Sequence, residues 1–168
     1  NASYLLKQTQ AQVVKLEGGQ TQLKTVETLA KFGIASCSHL GLQPQMVHKM
    51  GGYRVQGKAR SAAEEMLATA KDLEAAGTDL LLLECVPAHL AAGITEALEI
   101  PVIGIGAGVD TDGQVLVSYD MLGISVNKVP SFARNFLEER GGDIRGAMAS
   151  YVEAVRNKTF PAREHTFA

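Results

Sequence analysis

Lys15 and Glu17 stand two residues apart in Val13-Val-Lys-Leu-Glu-Gly-Gly19, an apolar run that two glycines bring to a turn. On a strand, positions two apart share a face, so this ammonium and this carboxylate point the same way. Opposite charges on so apolar a strand are costly unless they pair or hold a ligand. One reading is an ordinary ion pair at a strand end. The other is a site for a divalent cation and an anionic substrate. Three further strand-like runs end in the same manner. Gly33-Ile-Ala-Ser-Cys-Ser-His39 closes on His39, Asp79-Leu-Leu-Leu-Leu-Glu84 closes on Glu84, and Pro101-Val-Ile-Gly-Ile-Gly-Ala-Gly108 closes on glycines.

Helical stretches separate these runs and must position them. Thr21 to Phe32 is polar, with Leu23, Val26, Leu29, Ala30 and Phe32 spaced for one face. Ser61 to Ala76 opens on a Ser61-Ala-Ala-Glu64 capping box and stops at Gly77. Ala88 to Leu98 lies between Pro87 and Pro101. Near-continuous apolar strands alternating with amphipathic helices imply a parallel α/β sheet covered by helices. In such folds function gathers at the C-terminal strand ends. Lys15, Glu17, His39 and Glu84 all fall there, on three successive strands, which favours an active-site rim over four unrelated structural polars.

The 168 residues amount to about one domain. Hydrophobic residues make up 46% of the chain, ample for a core, and a net charge of −2 gives no sign of nucleic-acid binding. No run approaches the roughly 18 apolar residues of a membrane span, and no signal peptide opens the chain. Cys37 and Cys85 are far apart, lie in or just after apolar runs and form no C-x-x-C, so they read as reduced, buried thiols of a cytoplasmic protein. Asn1 to Gln12 reads as the end of a helix leading into a strand. A closed (β/α)8 barrel takes about 250 residues, and only four strands are clear here. Val115-Leu-Val-Ser-Tyr-Asp120 is either a fifth strand or a helix that starts after Thr111-Asp112-Gly113. The chain is therefore expected to be one partial domain over residues 1–168, the C-terminal part of a (β/α)8 TIM barrel whose first strands are absent, with C-terminal helices at about 131–158 and a short tail.

The sequence resembles the ketopantoate hydroxymethyltransferase (3-methyl-2-oxobutanoate hydroxymethyltransferase) family. The matching stretches are Val14-Lys-Leu-Glu-Gly-Gly19, His39-Leu-Gly-Leu-Gln-Pro-Gln45, Gly51-Gly-Tyr-Arg-Val-Gln-Gly57, Leu83-Glu-Cys-Val86, Pro101–Gly108, Asp112-Gly-Gln-Val-Leu-Val117, Asp120-Met-Leu-Gly-Ile124 and Phe160-Pro-Ala-Arg-Glu-His165. They run in register along nearly the whole chain. The family's N-terminal strands, which supply two metal-binding aspartates and a substrate-contacting serine, have no counterpart in this sequence.

The resemblance implies a role for each residue of the rim. Glu17 matches a Mg2+ ligand, Lys15 a contact to the 2-oxo acid, Glu84 the proton acceptor, and His39 a substrate-pocket histidine. Gly51–Lys58 matches a loop at the mouth of the site. The implied reaction moves a one-carbon unit from 5,10-methylenetetrahydrofolate to 3-methyl-2-oxobutanoate, giving 2-dehydropantoate for pantothenate and coenzyme A synthesis, through a metal-stabilised enolate. A Lewis-acidic cation and Lys15 would stabilise the oxyanion. Glu84, following four leucines, would be the base, its pKa raised by burial. The bland alternative for Glu84 is a cap on the next helix. The family assembles into large homo-oligomers, often decamers. Without the upstream strands, this chain alone is expected to bind Mg2+ weakly and to be inactive.

The remaining motifs carry less. Gly104-Ile-Gly-Ala-Gly108 lacks the spacing and the later acidic residue of a dinucleotide fingerprint. It reads as a close-packed turn, open at most to a flat cofactor such as the pterin. His48, His89 and His165 lack metal-ligand spacing, and no G-x-S-x-G is present. Arg54, Lys58 and Arg60 read as a solvated loop, with contact to the folate glutamate tail as the weaker option. Two rivals to the transferase remain: a non-catalytic partial-barrel assembly module, and a related enolate-chemistry lyase of the phosphoenolpyruvate mutase superfamily. Lys15, Glu17 and Glu84 together favour the enzyme, since a disused site need not keep all three.

Overall fold

The computed structural model describes every residue except Met50 and Asn127. Its centre is a five-stranded, all-parallel sheet in sequential order: β1 (Val14–Glu17), β2 (Ser36–Gly41), β3 (Leu80–Glu84), β4 (Val102–Ile105) and β5 (Gly113–Gln114). Helix α1 (Ala2–Gln8) precedes the sheet, and α2 (Leu23–Lys31), α3 (Arg60–Ala75) and α4 (Ala88–Ala97) form the crossovers. Neighbouring parallel strands joined through helices are the arrangement of a (β/α) barrel segment.

Alternation along the strands explains the layering. Leu40, Leu81, Leu83 and Val102 face the crossover helices and pack with Val26 of α2, Ala70 and Leu73 of α3, and Ala91 and Ile94 of α4. Each fully buried leucine there contributes about 1.5–3 kcal/mol. The residues between them point to the opposite, concave side. Leu82 and Ile105 meet Leu42, Cys85 and Phe132 on that side, and Cys37 packs against them. Both cysteines are free; Cys85 is buried, whereas Cys37 is only half-buried.

Several local expectations change in the structure. Helix α3 begins at Arg60, one residue before Ser61, and its N-cap Ala59 makes no side-chain cap. Ser61 therefore cannot close the capping box, and Glu64 accepts instead from Arg60 Nε at 2.8 Å. Phe32 is 79% exposed rather than facing the core, because α2 stops at Lys31 and the chain turns through Gly33 at φ 68°. Val115–Asp120 forms no strand, and the helical alternative holds only for its second half. The fifth strand lies earlier, at Gly113–Gln114, and a short helix α5 follows at Ser118–Met121. Of the stretch expected to be helical near residues 131–158, the long helix is α6, Ile144–Arg156, preceded by a single 3-10 turn at Glu138–Arg140. Gly141 and Gly142, both at positive φ, separate the two, and Asp143 then caps α6 by accepting from Arg145 N–H at 3.1 Å. Helix α6 docks through Ala147 and Ala154 onto Met121, Phe136 and Phe160. Among the described residues no helix is long and apolar enough to cross a membrane.

One glycine controls how the strand ends meet. Gly41 sits opposite Glu84 at the end of β2 with φ 89°, and a Cβ there would collide with the Glu84 carbonyl oxygen and the Val86 side chain. Gly41→Ala is therefore expected to destabilise the fold by about 2 kcal/mol or more, combining a left-handed alanine with a backbone clash. A urea melt reads this directly, and an unchanged midpoint would contradict the close approach of β2 and β3.

Candidate active site

Register brings the polar strand ends together. Glu17 of β1 is paired with His39 of β2, and Gly41 of β2 with Glu84 of β3. All lie at the C-terminal edge of the sheet. By alternation, Lys15, Glu17, His39 and Glu84 project from the concave side, opposite the helix-facing Leu16, Leu40 and Leu83.

His39 forms the centre. It is completely buried, its Nδ1 lies 3.7 Å from Glu17 Oε1, and its Nε2 lies 3.3 Å from Glu84 Oε2. Among the described residues neither nitrogen finds a hydrogen-bond partner. Leaving a buried polar group unsatisfied costs about 1–3 kcal/mol, so this imidazole is held in place by the fold and not by its own bonds. The flanking carboxylates keep a solvent-facing edge, with side chains 13% and 15% exposed for Glu17 and Glu84. Glu17 Oε2 also accepts from the Gln45 backbone N–H at 3.4 Å. The line Glu17–His39–Glu84 thus spans three strands, with an acceptor at each end and an imidazole between them.

Lys15 stands apart from that line. It is exposed, beside its register partner Cys37, whose thiol it draws downward against the larger upward push of burial. Among the described residues it makes no ion pair with Glu17, so the simple strand-end salt bridge does not form. The helix-capping alternative for Glu84 is absent too: the N-cap of α4 is Pro87, with no side-chain hydrogen bond.

The other motifs sort cleanly. A Cβ at Gly106 would strike the Phe132 ring, and one at Gly108 would strike Ala88, so the glycine turn after β4 packs closely against the protein's own side chains at those positions. His48 and His89 are exposed. His165 accepts from Ala162 N–H at 3.2 Å and packs beside Phe160. Arg54, Lys58 and Arg60 are exposed, and Arg60 pairs with Glu64. The loop that carries Arg54 is nonetheless tied to the site, because Gln56 N–H donates to the Cys85 carbonyl at 2.8 Å. Sequence reasoning did not find this tie, nor the close approach at Gly41, which offered only a faint signal as a glycine directly beyond His39-Leu40.

A parallel α/β sheet that gathers two carboxylates and a buried imidazole at its C-terminal edge is laid out as an α/β-barrel enzyme lays out its active site. The chain belongs to the ketopantoate hydroxymethyltransferase family, whose family model matches residues 1–163. It is 55% identical over 167 residues to the 3-methyl-2-oxobutanoate hydroxymethyltransferase of Alkalilimnicola ehrlichii, covering 99% of this chain and 60% of that protein. The proteins of the same name from Marinobacter nauticus and Stutzerimonas stutzeri are 56% and 55% identical, over 99% and 100% of this chain and 62% and 63% of their own lengths. The chain therefore spans about three-fifths of these curated relatives. A solved dihydrodipicolinate synthase from Agrobacterium tumefaciens superposes with a TM-score of 0.41 at 19% identity, over 74% of this chain and 42% of its own, too loosely to carry an argument.

Proposed function

We propose that this chain carries the catalytic edge of a transferase that moves a hydroxymethyl group from 5,10-methylenetetrahydrofolate to 3-methyl-2-oxobutanoate. The observation that carries the reading is the buried His39 with Glu17 on one side and Glu84 on the other, at the C-terminal ends of adjacent strands, in a chain of this family. Chemically, the hydrogen on C3, next to the ketone, must leave before a new carbon–carbon bond can form there. Glu84 takes that proton. Water cleaves both C–N bonds of the donor's methylene bridge, its two hydrogens going to the folate nitrogens and its oxygen staying on the one-carbon unit as a carbonyl. C3 then adds to that carbon, and the oxygen takes up the proton held by Glu84 to become the hydroxyl of 2-dehydropantoate. Lys15, an exposed cation on the concave side, attracts the substrate carboxylate and the charge that develops on the keto oxygen. His39 stands between the two carboxylates and keeps them apart.

The donor set suits a hard cation only in part. Glu17 offers a carboxylate with a solvent-facing edge, the right ligand type for Mg2+. Among the described residues, however, no three His, Cys, Asp or Glu side chains converge as a metal site. Glu17 would thus be one ligand, the remainder coming from substrate oxygens, water and groups outside this chain. When bound there, Mg2+ supplies Lewis-acid stabilisation of the substrate's oxygens. The 2-oxo acid, the folate donor, a homo-oligomeric state and the cytoplasmic setting belong to the same proposal.

The test is product formation by a full-length protein carrying this sequence, with 5,10-methylenetetrahydrofolate as donor. Absence of 2-dehydropantoate would overturn the reading. Lys15→Ala is expected to raise KM as well as lower kcat, because Lys15 attracts the substrate in the ground state as well as in the transition state. A fall in kcat at unchanged KM would restrict Lys15 to the transition state.

A further inference from the structure

Strand alternation fails directly after Glu84. Leu81 and Leu83 of β3 face the helices, and Leu82 faces the concave side with Glu84. Continued alternation would send residue 85 to the helix layer. Instead Cys85 packs on the concave side with Leu42, Leu82, Ile105 and Phe132, and Val86 returns to the helix core. The cause is a backbone φ of 51° at Cys85, one of two non-glycine residues at positive φ among those described; the other, Lys158, lies just beyond α6, away from the sheet edge. Such a conformation costs a non-glycine residue of order 1–3 kcal/mol and persists only where the surroundings enforce it.

The surroundings do enforce it. Cys85 N–H donates to the Ile105 carbonyl at 3.0 Å, Val86 N–H to the Gly106 carbonyl at 3.1 Å, Gln56 N–H to the Cys85 carbonyl at 2.8 Å, and Leu42 N–H to the Glu84 carbonyl at 2.8 Å. Elements on three sides therefore clamp the peptide units around Glu84. The thiol itself is an unsuitable reactant, since burial and then the Glu84 charge push its pKa to about 12.

We infer that Cys85 is a positioning residue that aims the Glu84 carboxylate through its left-handed backbone, an inference that rests on the proposed role of Glu84 as the base. The kink ends β3 just past Glu84, turns the next side chain onto the same concave side, and fixes the Glu84 backbone beside His39. What position 85 must supply is tolerance of positive φ; the sulfur serves only to fill the apolar pocket.

The variants Cys85→Gly, Cys85→Ala, Cys85→Asn and Cys85→Val in the full-length protein separate backbone from packing. Glycine and asparagine accept the left-handed region, whereas β-branched valine resists it. C3-proton exchange of 3-methyl-2-oxobutanoate in deuterated water supplies kcat and KM, and thermal melting supplies stability. Cys85→Gly, Cys85→Ala and Cys85→Asn should keep kcat within about threefold of wild type, while Cys85→Val should lose about tenfold to a hundredfold in kcat at unchanged KM. If Cys85→Val does not fold, Cys85→Asn decides: as a polar group in an apolar pocket it should be the worst variant for packing and still keep its exchange rate. Rates that follow side-chain volume or melting temperature, or a Cys85→Val as fast as wild type, would overturn the inference. A wild-type protein that exchanges no C3 proton would instead overturn the role of Glu84, and the inference with it.

Discussion

Glu84→Gln in a full-length protein carrying this sequence is expected to lose on the order of 10²–10⁴ in turnover while binding 3-methyl-2-oxobutanoate nearly as well as wild type. Glutamine keeps the size of the side chain and its capacity to hydrogen-bond, so the contact across the 3.3 Å gap to His39 Nε2 is preserved in shape. What is lost is the group that accepts a proton. The decisive measurement is exchange of the substrate's C3 hydrogen with deuterated water in the presence of cofactor, because exchange reports proton removal without requiring carbon–carbon bond formation. Exchange at the wild-type rate in Glu84→Gln would identify another group as the base, with His39 the first to test by substitution. A KM rise equal to the loss in kcat/KM would mean that Glu84 binds substrate and does not move its proton.

The sheet was legible in the sequence for a simple reason. Four runs of apolar residues, each ended by a polar or glycine residue and separated by amphipathic stretches, leave few topologies other than a parallel sheet with helical crossovers. Val14–Glu17, Leu80–Glu84 and Val102–Ile105 form within those runs, whereas Ser36–Gly41 continues two residues past His39. The fifth strand was illegible because it has only two residues, Gly113 and Gln114, with no run long enough to show a period. The Ser61–Glu64 box misled because a local motif specifies a helix start only to within a residue or so, and here Arg60 competes for Glu64. The placement of Glu17 and Glu84 at strand ends followed from where each run stops, whereas His39 lies two residues inside the end of β2. Their convergence depends on register, which a single sequence does not encode in any local feature. The kink at Cys85 is still less accessible, since it arises from hydrogen bonds to Ile105 and Gln56, residues distant in sequence whose pairing only the folded chain defines.

Calorimetric titration of this 168-residue chain with Mg2+ is expected to show weak binding, and the chain alone to turn over no measurable substrate. Mg2+ demands a near-octahedral oxygen shell and gives up its waters reluctantly, so one carboxylate is a poor host. Glu17 is that one carboxylate. Its neighbour His39 offers nitrogen, which this hard cation disfavours, and among the described residues no third acidic or histidine ligand joins them. In the full-length protein the same reasoning makes Glu17 disproportionately important. Substituting groups that merely orient metal ligands costs about 10–100-fold in metal affinity or activity, and Glu17→Gln removes the charge of a direct ligand while keeping its shape. It should therefore lower Mg2+ affinity by at least that factor, and raising the Mg2+ concentration should restore part of the lost turnover. The same addition should do nothing for Glu84→Gln, whose defect is the missing base. Tight, stoichiometric Mg2+ binding by this chain alone, or full activity of Glu17→Gln at ordinary Mg2+ concentration, would remove Glu17 from the metal site and leave it as a carboxylate that only flanks His39.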